Sequence, residues 1–252
     1  MSPSVTISSI IALVMAPFVG SFLGLVIDRL PEGRTVLLGR STCDHCAKPL
    51  PPSSLVPLIS YVLQRGRCRN CDVPLRLFYP LIELVALAVA ISAVMVLDGW
   101  VLFVSLYLGW SLLALAVIDA RKKILPDPIN LPLIPIGLAT VTFLEPKQLP
   151  AHLIGAVLGF LTLAAIAWTY RRVRGREGLG LGDAKLFAAA GAWLGWPALP
   201  GVLLMAALAA LTVALARSAF GDRLDAADEI AFGPYLASAI WASWLLGPLT
   251  FW

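Results

Sequence analysis

The chain has 252 residues, 59% of them hydrophobic and only 13% charged, with a mean hydropathy of +0.86. A soluble globular domain is usually about 45–50% apolar and about 25% charged, so this composition excludes an ordinary soluble enzyme and indicates a polytopic membrane protein. The formal net charge of +4 implies no nucleic-acid partner, because short basic loops between apolar spans have a simpler, topological cause.

The first apolar run, about 6–27, follows Met1-Ser2-Pro3-Ser4-Val5, which has no positive charge. It is expected to be a retained first helix rather than a cleaved signal peptide. Further runs lie at about 80–97, 100–118, 129–144, 151–170, 184–197, 199–216 and 232–250. A span needs roughly 17–25 residues, so 129–144 and 184–197 are short, as tilted helices or half-helices are. The expected fold is all-α, with about eight transmembrane helices.

Basic residues set the orientation. Arg121, Lys122 and Lys123 follow the third run; Arg171, Arg172, Arg174 and Arg176 follow the fifth; Arg217 and Arg223 follow the seventh. The segment 28–79, after the first run, is basic as well, whereas the opposite turns carry only Lys147. With eight spans the two sets alternate, which places the N-terminus outside (periplasmic) and the basic loops in the cytoplasm.

The insert at 28–79 holds all four cysteines, Cys43, Cys46, Cys68 and Cys71, as two Cys-x2-Cys pairs. A cytoplasmic loop disfavours disulfides, and two such knuckles suit a tetrahedral zinc with four thiolates. A four-thiolate site leaves no open position for water, so this zinc would be structural, folding an insert with little core of its own. His45 is surplus to the four ligands and is expected to be an exposed loop residue. The chain then divides into a first transmembrane helix (1–27), a cytoplasmic zinc-binding insert (28–79) and a transmembrane core (80–252).

Four carboxylates lie near the cytoplasmic ends of spans: Glu83, Asp119, Asp127 and Asp183. Asp119 ends the third span and Asp183 opens the sixth, so the two can face each other at one surface. Two close carboxyls in a low-dielectric pocket cannot both ionise cheaply; they share a proton as acid and base and could activate water against a peptide carbonyl. Two other readings stay open on the residues alone. Asp119 could neutralise Arg121, Lys122 or Lys123 while Asp183 caps a helix, or the pair could serve ion-coupled transport. Gly178, Gly180 and Gly182 remove side chains beside Asp183, which would let another backbone approach. Asp127, between Pro126 and Pro128, is placed to cap the fourth span. Glu83 is either an intramembrane functional group or snorkels to the basic loop. Lys185 could pair with a carboxylate or engage an anionic group.

Several blocks now line up. Gly20-Ser21-Phe22-Leu23-Gly24-Leu25-Val26-Ile27-Asp28-Arg29-Leu30-Pro31, the cysteine insert with Arg76-Leu77-Phe78-Tyr79-Pro80-Leu81-Ile82-Glu83, Asp119 with Leu125-Pro126-Asp127, Gly180-Leu181-Gly182-Asp183-Ala184-Lys185-Leu186, and Phe232-Gly233-Pro234 occur in that order. Together they resemble the prepilin peptidases, or type IV leader peptidases, of the membrane-embedded GxGD aspartic proteases. Gly24 stands where that family usually has Asn, and Asp28 where it is often aromatic.

The resemblance implies that Asp119 and Asp183 are the catalytic pair of a bacterial inner-membrane endopeptidase. It would remove the basic leader of type IV prepilins or type II secretion pseudopilins after a glycine, on the cytoplasmic side. It also implies N-methylation of the new N-terminus with S-adenosylmethionine, since the cysteine insert and Glu83 are retained. Glu83 and Lys185 are possible accessory residues of either activity. A peptidase without methyltransferase activity, a non-enzymatic membrane assembly factor docking partners through its zinc insert, and an ion-coupled transporter are the alternatives.

Overall fold

The structure, a computed structural model, describes residues 6–36, 45, 46, 48, 56–175, 180–220 and 231–247. These residues form helices with no strand: α1 (Ile7–Arg29), α2 (Ile59–Leu63), α3 (Phe78–Val94), α4 (Gly99–Lys122), α5 (Asp127–Asn130), α6 (Leu133–Leu144), α7 (Leu149–Arg174), α8 (Leu181–Leu194), α9 (Leu199–Ala219) and α10 (Gly233–Leu246). Five helical stretches among them are long and apolar enough to cross a membrane: 7–32, 99–122, 127–144, 146–173 and 196–219. The chain is therefore a multi-pass membrane protein, with five such stretches where the apolar runs suggest about eight spans. The remaining runs carry shorter helices, α3 with 17 residues and α8 and α10 with 14 each.

The shortness of α8 has a local cause. It stops at Gly195, whose φ of +79° no helix continues through, and Pro197 follows. Fourteen residues reach about 21 Å, less than the roughly 30 Å of a bilayer core. That length suffices because α8 lies within protein. Asp183, Ala184 and every residue from Leu186 to Trp193 are buried, a helix enclosed all round.

Two compact units divide the chain inside α4, Met1–Trp110 and Ser111–Trp252. In the first, α1 packs along α3. Thr6 caps α1 by accepting from the Ser9 N–H at 3.2 Å, and it also donates to Asp98 Oδ1 at 2.8 Å. Ser8 donates to the same oxygen. These hydroxyls hold the Asp98 carboxyl below its usual range, Ser8 most strongly, and tie the start of α1 to the α3–α4 turn. At the other end of α1 the Tyr79 hydroxyl donates to Asp28 Oδ2 at 3.0 Å. A Cβ on Gly24 would meet the Tyr79 ring at 2.8 Å, so Gly24 and Asp28, the two departures from the family signature, both serve one tyrosine.

In the second unit α8 is the central helix, contacted by α5, α6, α7, α9 and α10. Its crossing with α7 is close enough that a Cβ on Gly191 would lie 2.1 Å from the Gly155 carbonyl oxygen, the small-residue packing by which helices associate without a hydrophobic driving force. Trp193 fixes the far end of α8, donating from Nε1 to Leu133 O at 2.8 Å and meeting Trp244 edge-on at 5.2 Å. The outward faces of α7 and α9 expose Ile154, Val157, Leu161, Leu208 and Leu211, as lipid contact requires.

Candidate active site

Asp119 lies in the last turn of α4 and Asp183 in the first turn of α8, only 6% and 8% exposed. The structure brings them close enough for the charge of Asp119 to act on Asp183. Their surroundings differ. Asp119 Oδ2 accepts from the Gly233 N–H at 2.9 Å, and Lys123 adds a positive charge nearby. Asp183 faces the Gly180 N–H, the reach of a third helical residue back to its N-cap. Its Oδ1 is buried with no hydrogen-bond partner. An unpartnered buried carboxyl oxygen is costly unless it carries a proton or awaits a donor. The arrangement can hold one proton between two carboxyls, the state a water-activating acid–base pair needs.

The GxGD turn itself is held by the segment before α6. Asn130, fully buried, donates from Nδ2 to Gly182 O at 3.0 Å, and Lys185 Nζ contacts both oxygens of Asp127 at 2.7 and 2.9 Å. This corrects the capping role expected of Asp127. Pro126 occupies the N-cap position of α5, no side chain caps it, and Asp127 is turned instead to Lys185. With the side chains of Lys185 and Asp127 30% and 50% exposed, that pair is an orienting contact rather than a large source of stability.

Gly182 has a neighbour of its own. A Cβ there would lie 2.9 Å from Leu125 Cβ, so the room beside it is taken by Leu125. Gly180 is exposed, and a Cβ there would meet only the Asp183 carboxyl at 3.6 Å and the Gly182 nitrogen at 3.8 Å, both ordinary contacts. The crowding at Gly182 makes a prediction. Gly182→Ala should lower turnover by roughly tenfold, as overpacking beside the reacting group does, and adding Leu125→Ala should restore most of it. Failure of the second change to rescue, measured as turnover of a leader-bearing substrate, would assign Gly182 to another chain's backbone instead.

Glu83 belongs to the first unit. It is 6% exposed and accepts from the Leu58 N–H at 2.7 Å, where Leu58 holds a φ of +59°. Such a backbone is uncommon for a bulky residue and persists only where surrounding contacts impose it. Glu83 therefore anchors the insert's return toward α3 instead of snorkelling.

Nearby in sequence, Cys46, Cys68 and Cys71 place their Sγ atoms within 4.8 Å of one another. Zn–S bonds of about 2.3 Å in a tetrahedron need sulfurs about 3.8 Å apart, so the three fit a zinc after a small contraction. Cys43 lies outside the described residues, and His45 is exposed, as expected. The knuckle is built by the Asp72 N–H on Cys68 O and the Cys68 N–H on Val73 O, both 2.9 Å.

Asn130 escapes a reading of the sequence by motif, and Gly233, although it stands in the Phe232-Gly233-Pro234 block, is given no part in the site by that reading. The signal for Asn130 is a lone amide inside an otherwise apolar run. For Gly233 it is a glycine before the proline that opens a helix.

Comparison with known proteins identifies the family. Residues 106–215 match the Type IV leader peptidase family, and residues 14–97 match the bacterial peptidase A24 N-terminal domain. The chain is similar to the prepilin leader peptidase/N-methyltransferase of Aeromonas hydrophila, 37% identical over 91% of this chain and 87% of that one. The proteins of the same name from Burkholderia pseudomallei (38% identical; 90% of this chain, 82% of the relative) and Pseudomonas aeruginosa (36%; 93% and 89%) are similar too. No solved structure matches. With relatives this similar along nearly their whole length, and the peptidase match covering both Asp119 and Asp183, the chain belongs to the type IV leader peptidase family.

Proposed function

We propose that the chain is an aspartic endopeptidase that removes the leader of type IV prepilins or type II secretion pseudopilins, cutting after a glycine at the cytoplasmic face of the bacterial inner membrane. The observation that carries this reading is the buried, interacting pair Asp119 and Asp183, supported by the names of the relatives. The alternation of basic connections supports the orientation, with the N-terminus periplasmic.

In the reaction, the ionised carboxyl takes a proton from water as the water oxygen bonds to the scissile carbonyl carbon. The protonated carboxyl gives its proton to the carbonyl oxygen, forming a neutral tetrahedral diol. On collapse the C–N bond breaks and the first carboxyl passes its proton to the leaving amine. The second recovers a proton from a diol hydroxyl, so the pair ends as it began. Burial supplies the low dielectric in which these charges act strongly.

N-methylation of the freed amine is the second half of the proposal, supported by the names of the relatives and by the cysteine insert. S-adenosylmethionine, when bound, would supply the methyl group. The described residues contain no strand and hence no strand–glycine turn–helix unit to hold a dinucleotide-type ligand. Zinc would be held by Cys46, Cys68 and Cys71, with Cys43 as the fourth thiolate, and would fold the insert rather than act on substrate.

Co-expression of the chain with a prepilin, followed by gel shift of the pilin and mass determination of its N-terminus, tests both halves. A shortened pilin with a methylated N-terminus is expected. An unprocessed pilin would leave the assembly-factor or transporter readings; a shortened, unmethylated one would leave a peptidase alone.

A further inference from the structure

We propose that the Gly233 N–H, at the start of α10, is the positioning group that makes Asp119 the water-activating carboxylate of the pair and leaves Asp183 as the proton donor. The inference rests on the peptidase reading above.

The two acids are held unequally. Asp119 Oδ2 receives the Gly233 N–H at 2.9 Å. Gly233 is the first helical residue of α10, where the N–H has no partner within the helix and the helix dipole presents its positive end. Both features favour negative charge on Asp119, and a backbone donor can only donate, so it cannot serve a protonated oxygen equally well. Asp183 also lies in the first turn of a helix and faces one backbone N–H, that of Gly180, but its Oδ1 is buried without any partner, the setting in which a carboxyl keeps its proton and offers it to an incoming carbonyl oxygen.

The approach is also specific to glycine. A Cβ at position 233 would lie 2.8 Å from Asp119 Oδ2, 3.0 Å from Cγ and 3.1 Å from Cβ. No other residue brings this amide so close without displacing the carboxyl. Pro234 follows and opens the helix without needing an N–H of its own. The Gly-Pro pair thus aims one donor at one catalytic oxygen.

The test separates the donor from the packing. Replacing the Phe232–Gly233 amide by an ester deletes the N–H and adds no atom; it also weakens Phe232 O as acceptor of the Tyr235 and Leu236 N–H groups, an effect on α10 that the unfolding measurement reads. Gly233→Ala keeps the N–H but forces the carboxyl aside. Each purified protein is compared with the parent in kcat and KM for a leader-bearing substrate, and in thermal unfolding in detergent. The ester protein is expected to lose roughly 10–100-fold in kcat, the range of one hydrogen bond to a charged group, with KM within about twofold and unfolding nearly unchanged. Gly233→Ala is expected to lose at least as much kcat. An ester protein with kcat within about twofold of the parent, or one in which KM alone changes, overturns the proposal. Activity surviving in both Asp119→Asn and Asp183→Asn overturns instead the peptidase reading on which it rests.

Discussion

Asp119→Asn and Asp183→Asn are each expected to lower leader removal by roughly 10³-fold or more, and the double variant by little more than either alone. The asparagines keep the shape and bulk of the aspartates, and the one replacing Asp119 can still accept from Gly233 through its amide oxygen. What they lose is the ability to exchange a proton. Because the acid and base act as one unit, removing the second after the first has little left to take away. Stability should move the opposite way: both side chains are over nine-tenths buried and act on each other electrostatically. An asparagine at either position removes a buried ionisable group whose charged form is costly there, so thermal unfolding in detergent should occur at the same or a higher temperature. A variant that lost activity together with its fold would point to a structural ion site instead.

The second large effect concerns the insert. Purified protein is expected to carry about one zinc, and Cys68→Ser to carry less than about a tenth of that. Cys68 is 2% exposed and its backbone closes the knuckle on both sides. Arg65 and Asp72, with φ of +51° and +54°, hold left-handed backbone next to it. Without the metal there is little burial to impose that geometry, and the insert should become sensitive to protease. Methylation of the pilin N-terminus should fall more than leader removal, because Asp119 and Asp183 both lie in the other compact unit. Equal loss of both activities in the mass spectrum would show that the insert supports cleavage as well.

What could be read from the residues, and what could not, follows from the range of the forces involved. Composition and charge placement report on the solvent, so membrane character was legible directly. Cysteine spacing reports on a metal through local geometry, and Cys46, Cys68 and Cys71 do converge. Span count was less legible, because hydropathy does not distinguish an apolar helix facing lipid from one facing protein. The helix α8, enclosed by its neighbours, needs neither the length nor the polar ends of a lone span. Asp127 shows a further limit. Its place between two prolines suits a cap, but a lysine 58 positions away captures the side chain, and no local rule contains that contact. Gly233 is the same case at greater distance, since its contact with Asp119 spans 114 positions. Depth and sidedness alone could set Asp119 and Asp183 at one surface but left catalysis, ion pairing and transport open; the asymmetry between the two required the fold.

The most direct test of the account uses purified chain in proteoliposomes with a prepilin, reading the N-terminal mass of the product. The parent protein should yield a single cut after the leader glycine, and Asp183→Asn, unfolding no earlier than the parent on heating, should leave the leader intact. Leader removal by Asp183→Asn at the parent's rate would contradict the assignment of this pair as the catalytic centre.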